Sequence, residues 1–278
     1  SSSSAASDVY KRQLLKLRKI RGLTLQTTLE NSVTFSGVGL HSGILANLTL
    51  KPAPVNHGIL FKRLDIVLGN PLVRARWDYV SDTTLSTRLK NEDGTMVSTV
   101  EHLMAALAGC GVTNALIELD SEEVPILDGS AAPFVKGILE VGLNNISSLS
   151  RIIKIIKPVI FKSEFGWARL SPHQCPEMEY FIEFDDRAIG IQSKTLNMSN
   201  GSFVKELSSS RTFCSSKDVE TMRENGLALG GNYSNALVFE DDKVLSPGGM
   251  RYQDEAVRHK MLDAFGAVSY THLRAHET

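Results

Sequence analysis

The strongest constraint on this chain is a change of hydrophobic period that occurs twice. From Thr24, the run TLQTTLENSVTFSGVGLHSGILANLTLKPAP alternates apolar and polar residues around a glycine-rich turn, as paired half-buried strands do. SDTTLSTRLKNEDGTMVSTV repeats the idea, with two β-prone runs flanking Asp93-Gly94, a hairpin signal. The period then becomes helical in STVEHLMAALAGCG, where Val100, Leu103, Met104 and Leu107 recur at helical spacing. Ser98 and Glu101 stand in the capping-box relation at its start, and Gly109 and Gly111 stop it. A strand in NALIELD, a turn at Asp128-Gly129 and a second helix that Pro133 helps to start complete the first set.

The polar NNISSLS reads as a boundary, and a second set follows it. RIIKIIKPVIF, WARLSP and YFIEFD are β-rich runs broken by Pro and Gly. RTFCSSKDVETMRENGLALGGNYSNALVFEDDKVL gives a charged helix, a double glycine and a hydrophobic strand, and DEAVRHKMLDAFG is a last helix. Strands followed by helices, twice over, predict α+β architecture in two similar domains, residues 23–146 and 147–267, rather than a βαβ parallel sheet.

Charge and cysteine content narrow the function. Lys and Arg number 30 against 31 Asp and Glu, so a net charge of −1 gives no electrostatic reason to expect nucleic acid and favours small-molecule partners. Cys110, Cys175 and Cys214 are scattered and odd in number, which predicts a reducing, cytoplasmic setting rather than a disulfide framework. The longest apolar runs, such as IIKIIKPVI, are interrupted by lysines and fall short of the roughly 20 residues a membrane span needs. The N-terminal SSSSAASDVYKRQLLKLRKIRG has the Ser and basic bias of a transit peptide, and a basic amphipathic membrane helix is a further reading. AASDVYKRQ and the terminal SYTHLRAHET instead resemble translated sequencing-adapter ends, which would make residues 1–22 and 268–278 foreign to the fold.

Few residues carry chemistry. His259 and Asp263 are four apart on the last helix, so both can reach one ion, although a surface hydrogen-bonded pair has the same spacing. Glu101-His102 places a carboxylate beside an imidazole in the first turn of a helix. Two histidines and one carboxylate would leave a zinc ion one open position for water, the arrangement of catalytic sites, with a non-ligand Glu as general base. His57 and His173 read as solvated loop residues, and His272 and His276 add to the histidine-rich look of the C-terminus.

STVEHLMAALAG, VPILDGSAAPFV, RTF, GLALGG and VRHKMLDAFG, with GVGLHSG near the start, resemble the UDP-3-O-acyl-N-acetylglucosamine deacetylases, zinc amidohydrolases of lipid A synthesis. The resemblance runs in order over residues 23–266. It implies two α+β domains, each a sheet layered against helices, with the active site between them. It also implies a UDP-sugar acyl substrate and release of acetate. Zinc ligands fall on His102, His259 and Asp263, a His/His/Asp set that suits Fe2+ as well. The general base falls on Glu101, and Thr212 matches the residue that hydrogen-bonds the tetrahedral intermediate. Lys260 lies beside the substrate in this reading, Phe213 contacts its ring or chain, and His41 matches a position near the cleft. The hairpin at Asp93-Gly94 and CSSKDVETMRENGLALGG match domain-specific inserts, the second forming a passage for the acyl chain that Cys214 could line. Family members continue after the HKMLDAFG helix with an aspartate, here Ala267, and a G-H-x-x-G-H-x-L-N segment that supplies a catalytic histidine. His272 and His276 do not match that segment, so this chain is expected to be far less active than an intact homologue, and the alternative is a non-catalytic, metal-binding fragment that at most holds UDP-sugar or acyl chain.

Overall fold

The computed structural model describes residues 24–164 and 166–269. Residues 1–23 and 270–278, which include His272, His276 and almost all of the two adapter-like stretches, lie outside the described residues. In chain order the first part gives β1 (Leu25–Leu29), β2 (Val33–Val38), β3 (Leu45–Pro52), β4 (Ile59–Arg63), β5 (Leu72–Arg74), β6 (Val80–Asp82), β7 (Arg88–Lys90), β8 (Met96–Val97), α1 (Glu101–Gly109), β9 (Ala115–Leu119), α2 (Ala132–Val141) and β10 (Leu143–Leu149). The second gives β11 (Val159–Ser163), β12 (Gly166–Leu170), β13 (Glu177–Glu183), β14 (Ile191–Asn197), a π-helical turn at Phe203–Leu207, β15 (Phe213–Ser215), α3 (Ser216–Glu224), β16 (Leu237–Glu240), β17 (Lys243–Val244) and α4 (Glu255–Ser269). The result is a mixed α/β structure with several small sheets and few helices. Among the described residues, no helix is long and apolar enough to cross a membrane.

The largest sheet has the order β2-β3-β9-β4-β5, antiparallel except where β4 runs parallel to β9. Alternation along β3 buries Ala46, Leu48 and Leu50 on one face, as the sequence pattern requires. That face meets α1 and α2 over a core that includes Phe61, Leu103, Leu107, Ile117, Phe134 and Ile138. The Asp93-Gly94 turn joins β7 and β8 in a hairpin with Gly94 at φ +88°. NNISSLS is not a free linker. It forms β10, which pairs back onto β1 in register Leu29↔Leu143, and its polar side chains meet those of the buried strand, Thr27 facing Asn145. In the second half, α3 crosses over between the parallel strands β15 and β16, and β13 and β14 form a long hairpin.

The capping box expected at Ser98 does not form. Thr99 takes a left-handed φ of +55°, so the helix begins two residues later, with Val100 at its N-cap, and Ser98 N–H donates to Glu122 C=O at 2.9 Å. The Glu101 carboxylate is thereby released from capping and accepts the Thr87 N–H at 3.0 Å.

The last helix serves two cores. Met261 and Leu262 complete the main core with α1, while Ala256 and Val257 join Ile182, Ile189, Leu237 and Phe239 in a second, smaller one. α4 runs past Gly266 to Ser269, and Gly266 is where it comes closest to α1: a Cβ there would stand 2.3 Å from the Glu101 carbonyl oxygen. The N-terminal end of α4 is pinned by Glu255, fully buried, whose carboxylate receives Arg211 Nε and the Arg211 backbone N–H, each at 3.0 Å.

Gly266→Ala tests that crossing. Alanine gains about 1 kcal/mol of helix propensity. The added methyl group meets backbone that cannot rotate away, and overpacking of that kind costs about 1–3 kcal/mol. A net loss of stability is expected in urea denaturation, together with weaker binding of any ion held between the two helices. A variant as stable as the parent would show that the approach is not tight.

Candidate metal centre

α1 presents Glu101 and His102 in its first turn, and α4 presents His259 and Asp263 one turn apart, so the crossing brings the two pairs together. One ligand atom from each of His102, His259 and Asp263 lies within 4.8 Å of the others. Asp263 Oδ1 is 3.4 Å from His259 Nε2 and 3.5 Å from His102 Nε2, and the two imidazole rings meet edge to face at 5.0 Å. His102 and His259 are buried, and Asp263 is partly so.

Proton positions follow from the partners. His259 Nδ1 lies 3.0 Å from the Ser210 carbonyl oxygen, which can only accept, so Nδ1 carries the proton and Nε2 turns its lone pair toward Asp263. Burial pushes the His259 pKa down to about 3, which keeps the ring neutral. Burial works against the Asp263 carboxylate, but His259, Lys260 and His102 together hold it well below the usual range. Burial likewise opposes a charge on His102, yet the Asp263 carboxylate 3.5 Å away raises its pKa. The result is a neutral imidazole, an ionised carboxylate and a second imidazole drawn toward a proton.

This donor set fits a divalent cation. His259 Nε2 and Asp263 Oδ1, which face each other and His102 Nε2, are both buried without a hydrogen-bond partner, and an unpaired buried polar atom costs about 1–3 kcal/mol. A cation among them would satisfy the facing lone pairs of His259 and Asp263 and would displace the proton that Asp263 otherwise draws to His102. Two nitrogens and one oxygen match three-ligand zinc sites and suit ferrous iron too.

The other predicted residues surround this group. Burial pushes the Glu101 carboxyl up to about 7, with Asp263 adding to the rise and His102 opposing it. Lys260 Nζ donates to Asp263 Oδ2 at 3.1 Å and sits 5.1 Å above the Phe213 ring. Phe213 is edge-on to His259, with ring centroids 6.1 Å apart, and also packs against Phe184 and Phe239. Thr212 is tied on both sides through its backbone, its N–H to Gly129 C=O and its C=O to Leu237 N–H, each at 2.8 Å. The chain from Ser210 to Phe213 therefore passes directly over His259, held there by the buried Arg211–Glu255 pair.

Thr212 and Phe213 also border a cavity of about 400 Å³, whose other walls include Leu40, Val219, Met222 and Ala228. Its far wall is the α3 segment singled out in the sequence. Cys214 lines it too, and burial pushes that thiol up to about 11, so it packs rather than reacts. His41 is buried, its Nδ1 accepting from Ala228 N–H at 3.4 Å beside the cavity, whereas His57 pairs with the Gly58 carbonyl and His173 with the carbonyl and thiol of Cys175. Thr87 and Ser210 act through backbone groups and left no trace in a side-chain pattern.

The profile of the family described as LpxC, UDP-3-O-acyl N-acetylglycosamine deacetylase, matches residues 26–276. A UDP-3-O-acyl-N-acetylglucosamine deacetylase of Idiomarina loihiensis is 45% identical over 263 residues, covering 91% of this chain and 85% of the relative. One from Shewanella halifaxensis is 45% identical over 248 residues, covering 88% and 80%. One from Pseudoalteromonas atlantica is 44% identical over 243 residues, covering 87% and 80%. With nearly the whole chain matched, and with the motif residues gathered at one point of the structure, this protein belongs to the UDP-3-O-acyl N-acetylglycosamine deacetylase family.

Proposed function

We propose that the protein hydrolyses the N-acetyl group of UDP-3-O-(3-hydroxyacyl)-N-acetylglucosamine in lipid A biosynthesis, as a cytoplasmic zinc enzyme. The observation that carries this reading is the convergence of His102, His259 and Asp263, from helices more than 150 residues apart in sequence, beside the buried Glu101. The same reading divides the chain into two α+β domains after β10, which pairs with β1 of the first, with α1 and α4 bringing the site residues from either side.

His102, His259 and Asp263 would hold the zinc ion, which would supply Lewis acidity toward water and the acetamide carbonyl. Glu101 acts as general base: its carboxylate, poised near neutrality by burial, takes the proton from the attacking water and then gives it to the amine nitrogen as the C–N bond breaks, leaving acetate and a free amine. The Thr87 N–H fixes one of its oxygens and so aims the other. The Thr212 hydroxyl donates to the oxygen that becomes negative as the carbonyl carbon turns tetrahedral. Lys260 balances the charge of Asp263 and faces the Phe213 ring, against which the substrate's sugar or chain rests. The apolar cavity beyond Phe213 receives the acyl chain, and its volume and lining suit a flexible hydrocarbon.

Glu101→Ala is expected to lower acetate release from the acylated UDP-sugar by about 10²–10⁴-fold. Zinc binding by this variant, followed by chelator competition, is expected to persist, since Glu101 is a base and not a ligand. Equal turnover by the variant and the parent would remove Glu101 from the mechanism.

Zinc is also expected to stabilise the fold by linkage, about 2.7 kcal/mol at a free concentration one hundred times Kd. Thermal melts with zinc and with chelator should therefore differ for the parent and coincide for His259→Ala. A zinc-dependent rise that survives in His259→Ala would place the ion elsewhere.

A further inference from the structure

Glu123 lies outside the metal centre and the cavity, yet its buried carboxylate, 2% exposed, is bonded to the approach to each. One oxygen, Oε1, accepts the Thr99 hydroxyl at 2.8 Å and the His41 N–H at 2.9 Å, and the other, Oε2, accepts the Ser42 N–H at 2.8 Å. Gly39 closes over it so tightly that a Cβ there would lie 2.3 Å from Oε2. Backbone bonds from Ser98 N–H to Glu122 C=O, 2.9 Å, and from Val124 N–H to Ser98 C=O, 3.1 Å, hold the two segments side by side.

Each arm of this carboxylate leads to a different part of the site. Thr99 is β-branched and sits at φ +55°, a region that such residues avoid, and Glu101 and His102 follow it within three residues. The bond from its hydroxyl to Glu123 is what holds it there. The second arm fixes residues 39–43, whose carbonyls at Leu40 and His41 accept the N–H groups of Gly230 and Leu229 at 3.0 and 3.1 Å. Leu40, Ala228 and Gly231 from these paired segments line the cavity.

We propose that Glu123 is a positioning residue that sets two things at once: the turn that aims Glu101 and His102, and the loop that walls the acyl cavity. The proposal rests on the deacetylase reading, and its two arms come apart under different substitutions. Thr99→Val removes the hydroxyl and leaves the loop clamp whole. Thr99→Gly also removes the hydroxyl, but glycine takes positive φ without being held. Glu123→Gln spares the Thr99 hydroxyl, which can donate or accept. It fails the loop: whichever way the amide turns, one of the two backbone N–H groups meets an NH₂ and loses its acceptor.

The experiment measures two dissociation constants on the full chain, for zinc by chelator competition and for dodecanoate as the apolar probe by calorimetry. Thr99→Val is expected to weaken zinc about tenfold, as loss of an outer support of a metal site does, with dodecanoate binding unchanged. Thr99→Gly is expected to restore zinc binding to near the parent value, which a packing role for the threonine would not allow. Glu123→Gln is expected to weaken dodecanoate about tenfold, the effect of one buried N–H left without an acceptor, and to leave zinc binding nearly as it was. Equal losses of zinc binding in Thr99→Val and Thr99→Gly would overturn the proposal. So would parallel changes of both constants in Glu123→Gln, or no change in any variant. A parent protein that binds neither zinc nor dodecanoate would defeat the deacetylase reading itself, and the proposal with it.

Discussion

The close approach of α4 to the first turn of α1, with Gly266 against the Glu101 carbonyl, is the contact on which the rest of the site depends. His102 and the His259–Asp263 pair lie on different helices, and a cluster whose ligand atoms fall within 4.8 Å tolerates little change in the spacing of those helices. Packing on both sides of α4 sets that spacing, with Met261 and Leu262 in one core and Ala256 and Val257 in the other. Arg211 and Glu255 add a directional restraint. Both are buried and bonded at more than one atom, so neither can relax without leaving a charge uncompensated, a loss of about 3–5 kcal/mol.

Electrostatics divides the work among neighbouring groups. Ser210 fixes the His259 tautomer, while Asp263 gives one oxygen to the imidazoles and the other to Lys260. Lys260 therefore keeps a positive charge beside the His102–His259–Asp263 cluster. Its other neighbour is the Phe213 ring, with the ammonium group 5.1 Å above the ring centroid. Glu101, which burial pushes up to about 7, accepts the Thr87 N–H and stands beside the cluster.

Side-chain pattern and local spacing were the legible parts of the chain. The i,i+4 pair on α4, the Asp93-Gly94 hairpin and the Pro133 start of α2 each follow from residues a few positions apart, and each stands where the pattern put it. That NNISSLS is a strand was not legible from its polarity, because its side chains bond to the polar buried strand β1, a partner more than 110 residues away. The capping box failed for a similar reason. Ser98 and Glu101 have the right spacing, but the Thr99 hydroxyl bonds to Glu123, and the backbone turns left-handed between them. Ser210 and Thr87 contribute only main-chain atoms, which every residue has, so no motif could mark them. Glu123 stood in plain view within SEEVP, with nothing local to distinguish it from Glu122.

The two-sided packing of α4 also bears on synthesis. α1 emerges from the ribosome with Glu101 and His102 already in place, but the groups that complete the cluster follow only after some 150 further residues. At translation speeds of about 5–20 residues per second, the first half waits on the order of ten seconds with the α4-facing side of its core uncovered. Neither core closes before α4 arrives, so the ion-binding group and the hydrophobic interior are finished by the same event. A nascent chain stopped short of Asp263 lacks one of the three residues of the cluster.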